Sequence, residues 1–139
     1  MLSGNQTPRP TYALLARAAL PWESVHLWFA DERAVPPDHA DSNYGMVSGI
    51  LADVFERATV HRMSAEAEDR DWAAEAYASV LPEVMDVLLL GIGADGHTAS
   101  LVPGDPALAV EDRDVALTEP YFGRQRMTLT FPMINRARK

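Results

Sequence analysis

The sequence predicts an α/β domain with a mostly parallel sheet and flanking helices. Three observations carry that expectation. Short β-branched or aromatic runs alternate with helical stretches through Leu90. The charged or glycine-rich segments fall at the ends of apolar runs. No internal repeat or long linker breaks the order.

The first helix is expected over Pro10–Ala19, with Thr7 as N-cap and Pro8 at the first helical position. Val25–Ala30 ("VHLWFA") reads as the first strand. Ser42 then caps a helix over Asn43–Arg57, which sets Met46, Val47, Ile50, Leu51, Val54 and Phe55 on one face. Val60–Met63 is the second strand. A helix over Glu66–Leu81 follows, with Trp72, Ala73, Ala76, Tyr77, Val80 and Leu81 directed to the core. Asp86–Leu90, Val115–Leu117 and Met127–Phe131 complete the strands. The 139 residues form one domain, and both ends read as cut, so self-association or marginal stability is expected.

Composition narrows the function. A formal net charge of −8 argues against nucleic acid, because a binder needs a basic face to displace counterions. A small anion remains open to it where cations are focused locally. With no cysteine there is no thiol nucleophile, disulfide or thiolate metal site. No apolar run approaches a membrane span and no leader pattern is visible, so the expectation is a cytoplasmic protein without a membrane partner.

Two loops hold the chemistry, since ligands of open α/β sheets gather beyond the carboxyl ends of strands. "DVLLLGIGADGHTASLVPG" (Asp86–Gly104) contains the G-x-G-x-x-G spacing of a dinucleotide turn at Gly91, Gly93 and Gly96. A dinucleotide needs a helix after that turn, and Pro103, Gly104 and Pro106 break one. The glycines serve better to present Asp95 and His97. An imidazole exchanges protons near neutral pH, and a neighbouring carboxylate fixes its tautomer. "ADERAVPPDHADSNYG" (Ala30–Gly45) is the second loop, where Arg33 can fork onto a phosphate or carboxylate. His39 and Asp41 alone make a weak metal pair. His26 and His61 lie in strands and read as structural.

"WFADERAVPPDHADSNYGM" followed by "DVLLLGIGADGHTASLVPG" strongly resembles the 6-phosphogluconolactonases, of the superfamily shared with glucosamine-6-phosphate deaminases. "MTLTFPMINRAR" looks like a later strand and turn of that family, so the likeness runs from Leu2 to about Arg138. It implies a Rossmann-like three-layer fold, incomplete here at both ends. It implies hydrolysis of 6-phospho-D-glucono-1,5-lactone to 6-phosphogluconate in the pentose phosphate pathway, with the phosphorylated lactone as partner and no cofactor or metal. Carried over by position, the catalytic histidine is His97, with Asp95, Asp31 and Arg33 as the other catalytic residues. Ser3–Pro8 is the phosphate turn. Gly4, Thr7, Ser42, Asn43, Gly93 and Gly96 are the substrate-binding positions.

This sequence departs from the family at Gln6, where a small hydroxyl residue is usual. The deaminases carry a glutamate before the Pro-Gly; here Val102 precedes Pro103, which disfavours amino-sugar deamination. The other alternative is a non-catalytic sugar-phosphate-binding or assembly module.

Overall fold

A computed structural model describes residues 1–139. The helices are α1 (Arg9–Leu15), α2 (Asn43–Ile50), α3 (Ala52–Phe55), α4 (Arg70–Val80) and α5 (Phe131–Asn135). The strands are β1 (His26–Leu27), β2 (Asp31–Arg33), β3 (Thr59–Val60), β4 (Val115–Leu117) and β5 (Arg126–Leu129).

One run of chain, from His26 to Arg33, joins two patches of sheet. Its first half is parallel. Here β1 pairs with β3, and a further parallel bridge joins Phe29 to Leu2. The Leu2 amide donates to the Trp28 carbonyl at 2.7 Å, and the Ala30 amide to the Leu2 carbonyl at 2.9 Å. The second half, β2, pairs antiparallel with β5, and β5 with β4. The antiparallel section adds to what the pattern predicts. It makes a strand of Asp31–Arg33, where the sequence suggests a loop.

The core explains the turn between the two halves. Phe29 and Ala30 are fully enclosed, as are Tyr12, Val47, Leu51, Met63, Met127, Leu129 and Met133. α1 lies on α2, α2 on β2, and α4 beside β4. Tyr77 of α4 exchanges two hydrogen bonds with the Phe29 backbone, at 2.9 and 3.0 Å, and so serves the Phe29 amide and carbonyl that the bridge to Leu2 does not use.

Several expectations are corrected. α1 starts at Arg9 behind Pro8, which lies in helical geometry, and the Thr7 side chain caps nothing. Ser42 does cap α2, accepting from the Gly45 amide at 3.0 Å. The helix then breaks at Leu51 (φ −104°, ψ 29°) into α2 and α3. α4 begins at Arg70 rather than Glu66, because the Asp69 carboxylate accepts from the Trp72 amide at 2.9 Å. The buried stripe of α4 is Ala73, Ala74 and Tyr77, so Trp72 falls one step off it and is 67% exposed. Asp86–Leu90 forms no strand and joins no ladder; its amides at Leu88 and Leu89 donate to the carbonyls of Lys139 and Met1. Phe131 opens α5 instead of closing β5.

Candidate active site

The cleft is assembled from four separate segments. They are the turn after Leu2, β2 with the start of α2, the glycine loop at residues 91–99, and Arg126 of β5.

The Ser3–Pro8 turn follows the parallel bridge of Leu2 and leads into α1. Tyr12 anchors it from the core. The Ser3 amide donates to the Tyr12 hydroxyl at 2.8 Å, and that hydroxyl donates to the Ser3 carbonyl at 2.7 Å. Burial pushes the Tyr12 phenol up to about 12. Asn5 takes φ 76°, a left-handed position that asparagine tolerates better than most residues. The amides of Gly4, Asn5, Gln6 and Thr7 find no acceptor in the protein. Gly4 is obligatory here, since a Cβ would overlap the side chain of Asn43.

Asp31 forms the floor. It is 5% exposed, and both carboxylate oxygens are used: Asn43 Nδ2 donates to one at 3.1 Å and Ser100 Oγ to the other at 2.6 Å. Next to it, Glu32 faces the scaffold instead. Its carboxylate accepts from the amides of Arg33, Asn43 and Tyr44 and from Ser42 Oγ, at 2.7 to 3.0 Å. Burial nonetheless pushes the Glu32 carboxyl up, against the pull of those donors. Ser42 is therefore spent on Glu32 and on the α2 cap, outside the lining of the cleft.

Arg33 and Arg126 supply the positive charge. Arg33 Nη1 donates to the Asp41 carbonyl at 2.6 Å. Arg126 Nη1 reaches Ser100 Oγ at 3.4 Å. Burial and the nearby Arg33 guanidinium lower the Arg126 pKa, while Asp31 pulls it back up. Four buried side-chain atoms lack any partner, Arg33 Nε, Arg126 Nε, Asn43 Oδ1 and Thr98 Oγ1, and the first three belong to residues that line the cleft. Buried polar atoms are nearly always satisfied, so this concentration around one cleft marks it as a place for a polar ligand.

The glycine loop brings the acid–base pair. The turn closes on itself through the Gly93 amide to the His97 carbonyl (2.8 Å) and the Gly96 amide to the Gly93 carbonyl (3.0 Å). Gly96 sits at φ 88°, which a side chain would strain. Asp95 Oδ1 meets His97 Nδ1 at 2.5 Å and accepts the His97 amide at 3.2 Å. Tyr121 donates its hydroxyl to Asp95 Oδ2 at 3.0 Å. The His97 ring, with these donors behind it, holds the Asp95 carboxyl down at about 2. With Nδ1–H directed to the carboxylate, Nε2 is left as the proton acceptor.

Of the sequence-predicted residues, the cleft gathers Gly4, Thr7, Asp31, Arg33, Asn43, Gly93 and His97 in its lining. Asp95 stands directly behind His97. Ser42 and Gly96 act from outside as cap and turn residue. Sequence reasoning missed Arg126, Ser100 and Tyr121. Arg126 gave one signal, as part of the cationic stretch from Arg124 to Lys139; Ser100 and Tyr121 gave none.

The fold and the cleft define an α/β protein with an imidazole–carboxylate pair facing an arginine-lined site. The family model described as glucosamine-6-phosphate isomerases/6-phosphogluconolactonase matches residues 1–139, and the chain belongs to that family. It is 43% identical to the 6-phosphogluconolactonase of Synechocystis sp. over 149 residues, covering 99% of this chain and 62% of that protein. The 6-phosphogluconolactonase of Haemophilus influenzae is 34% identical, with 99% and 64% covered. Among solved structures, the enzyme of that name from Trypanosoma brucei superposes with a TM-score of 0.86 at 32% identity, covering 99% of this chain and 65% of that one. The one from Shewanella baltica gives 0.86 at 30%, with 98% and 62% covered. The Rossmann-like α/β expectation is borne out by these superpositions. The chain spans about three fifths of the length of these relatives. No helix is long and apolar enough to cross a membrane.

Proposed function

We propose that this chain carries the catalytic cleft for hydrolysis of 6-phospho-D-glucono-1,5-lactone to 6-phosphogluconate, with His97 as general base. The observation that carries the reading is the Asp95–His97 pair at 2.5 Å, facing a cleft whose arginines have buried, unpartnered Nε atoms. The names of the similar proteins support the substrate class.

The steps balance as a water addition. A water held at His97 Nε2 gives up a proton to the imidazole while its oxygen attacks the lactone carbonyl. The tetrahedral oxyanion that forms is offset by Arg33 and Arg126. Collapse breaks the bond to the ring oxygen, which takes the proton back from His97. The acid product then ionises and releases one proton to solvent. Asp95 holds the imidazole in its tautomer and balances its transient charge. Asp31 fixes Asn43 and Ser100 and offsets the two arginines when no anion is bound. The 6-phosphate takes the four acceptorless amides of Gly4–Thr7, a concave run of N–H groups suited to an anion.

The test is lactone hydrolysis in excess of the spontaneous rate. His97→Ala should lower kcat by roughly 10²–10⁴-fold, the usual contribution of a positioned base. Arg33→Ala should lower kcat/KM. An unchanged rate in His97→Ala would overturn the assignment of the base. Binding of 6-phosphogluconate with no acceleration of hydrolysis would make the chain a sugar-phosphate-binding module instead.

A further inference from the structure

We infer that Tyr121 is a positioning residue for the Asp95–His97 pair, holding the carboxylate from behind with its hydroxyl and supporting Arg126 with its ring. The inference rests on the reading of His97 as base. Asp95 uses Oδ1 alone to hold His97, through both the ring and the amide. Its side chain is 38% exposed and stands on a glycine-flanked turn. A carboxylate held by one oxygen can swing, and the imidazole would swing with it. The Tyr121 hydroxyl, 3.0 Å from Oδ2, supplies the second tether.

The ring has a role of its own. It meets the His97 ring edge-on at 5.9 Å, with 65° between planes, and the Arg126 guanidinium lies over it at 4.9 Å from the centroid. One side chain thus touches both the acid–base pair and the cation that faces the cleft.

Tyr121 is itself fixed. Its amide donates to the Arg124 carbonyl at 2.9 Å, and the Arg124 amide returns a bond at 3.3 Å. Between them Phe122 (φ 50°) and Gly123 (φ 75°) are both left-handed, as in the two-residue turns that match strand twist. Arg124 pairs with Asp41 Oδ2 at 3.0 Å, and the Asp41 carbonyl accepts from Arg33. The hairpin tip is therefore tied to the loop after β2, and Tyr121 is placed between two fixed points.

Tyr121→Phe removes only the hydroxyl and keeps the ring. The expected result is a kcat about tenfold lower with KM unchanged, part of the roughly 10²–10⁴-fold that a positioned base contributes. The acid limb of the kcat/KM profile should also move to higher pH, because a carboxylate relieved of its donor holds a protonated imidazole more firmly. Tyr121→Leu, which also withdraws the ring from Arg126, should raise KM as well. The His97 ring nitrogen shifts followed by NMR report the same coupling without turnover, and their Nδ1–H tautomer pattern should weaken in Tyr121→Phe. If His97→Ala abolishes catalysis while Tyr121→Phe keeps both kcat and the acid limb, the base stands and the role of Tyr121 is overturned. If His97→Ala keeps its rate, the base falls; identical His97 ring nitrogen shifts in wild type and Tyr121→Phe then overturn the tether too.

Discussion

Replacing Gly93 with alanine isolates the geometry of the proposed base from its chemistry. The backbone there is not left-handed, so alanine meets no conformational penalty. The added Cβ would nonetheless land on His97 Cε1 and Nδ1, and within 2.7 Å of Asp95 Oδ1. Ordinary contact begins near 3.4 Å, so the imidazole must retreat by roughly 1 Å. A misplacement of about that size is worth up to ~10²-fold in rate, or ~2.7 kcal/mol of transition-state stabilisation at ~1.36 kcal/mol per decade. The displaced group is a side chain on a surface loop, so the core is untouched. The assay is lactone hydrolysis corrected for the spontaneous rate, alongside thermal unfolding. The expected pair of results is a kcat/KM near one hundredth of wild type with Tm unchanged. Wild-type kcat/KM in Gly93→Ala would refute the claim that this ring position is the working one.

Gly4→Ala should behave differently, because its neighbour is buried Asn43 rather than a loop residue. Asn43 is held by Asp31, so the overlap cannot be relieved cheaply; a loss of about 1–3 kcal/mol is expected in denaturant unfolding, with weaker phosphate binding. The Tyr12 phenol predicts an alkaline limit. Its folded pKa of about 12 lies above the ordinary 10.0, so the native state keeps a proton that the unfolded chain loses. Stability should be complete below pH 10 and fall as pH rises toward 12; Tyr12→Phe should flatten that fall in a Tm–pH series.

The two cleft loops were legible because glycines and charges cluster where apolar runs end. Ser42 was legible because a hydroxyl before a helical stripe has few other meanings. β2 was not. Asp31, Glu32 and Arg33 are poor strand residues by propensity, and the side chains that let Asp31 lie buried, Ser100 and Asn43, are 69 and 12 positions away. Asp86–Leu90 fails the other way: the run is apolar, yet its backbone meets Met1 and Lys139 through single hydrogen bonds rather than a ladder. Trp72 shows the limit of periodicity, since a helix rotated by one residue sends a large ring outward while alanines fill the contact. Tyr121 gave no signal, and Arg126 only its place in a cationic stretch, because each takes its meaning from a residue on another segment.

The 2.6 Å bond from Ser100 to Asp31 bridges 69 residues of chain. Contacts of such separation bear a large loop-closure entropy, and chains rich in them fold slowly. The first and last cleft segments, Gly4 and Arg126, lie still farther apart in sequence. No local hairpin or helix pair can therefore prefigure the cleft. During refolding, the proposed lactone hydrolysis should return only with the last kinetic phase, after helix content has recovered, so that its recovery would time completed folding.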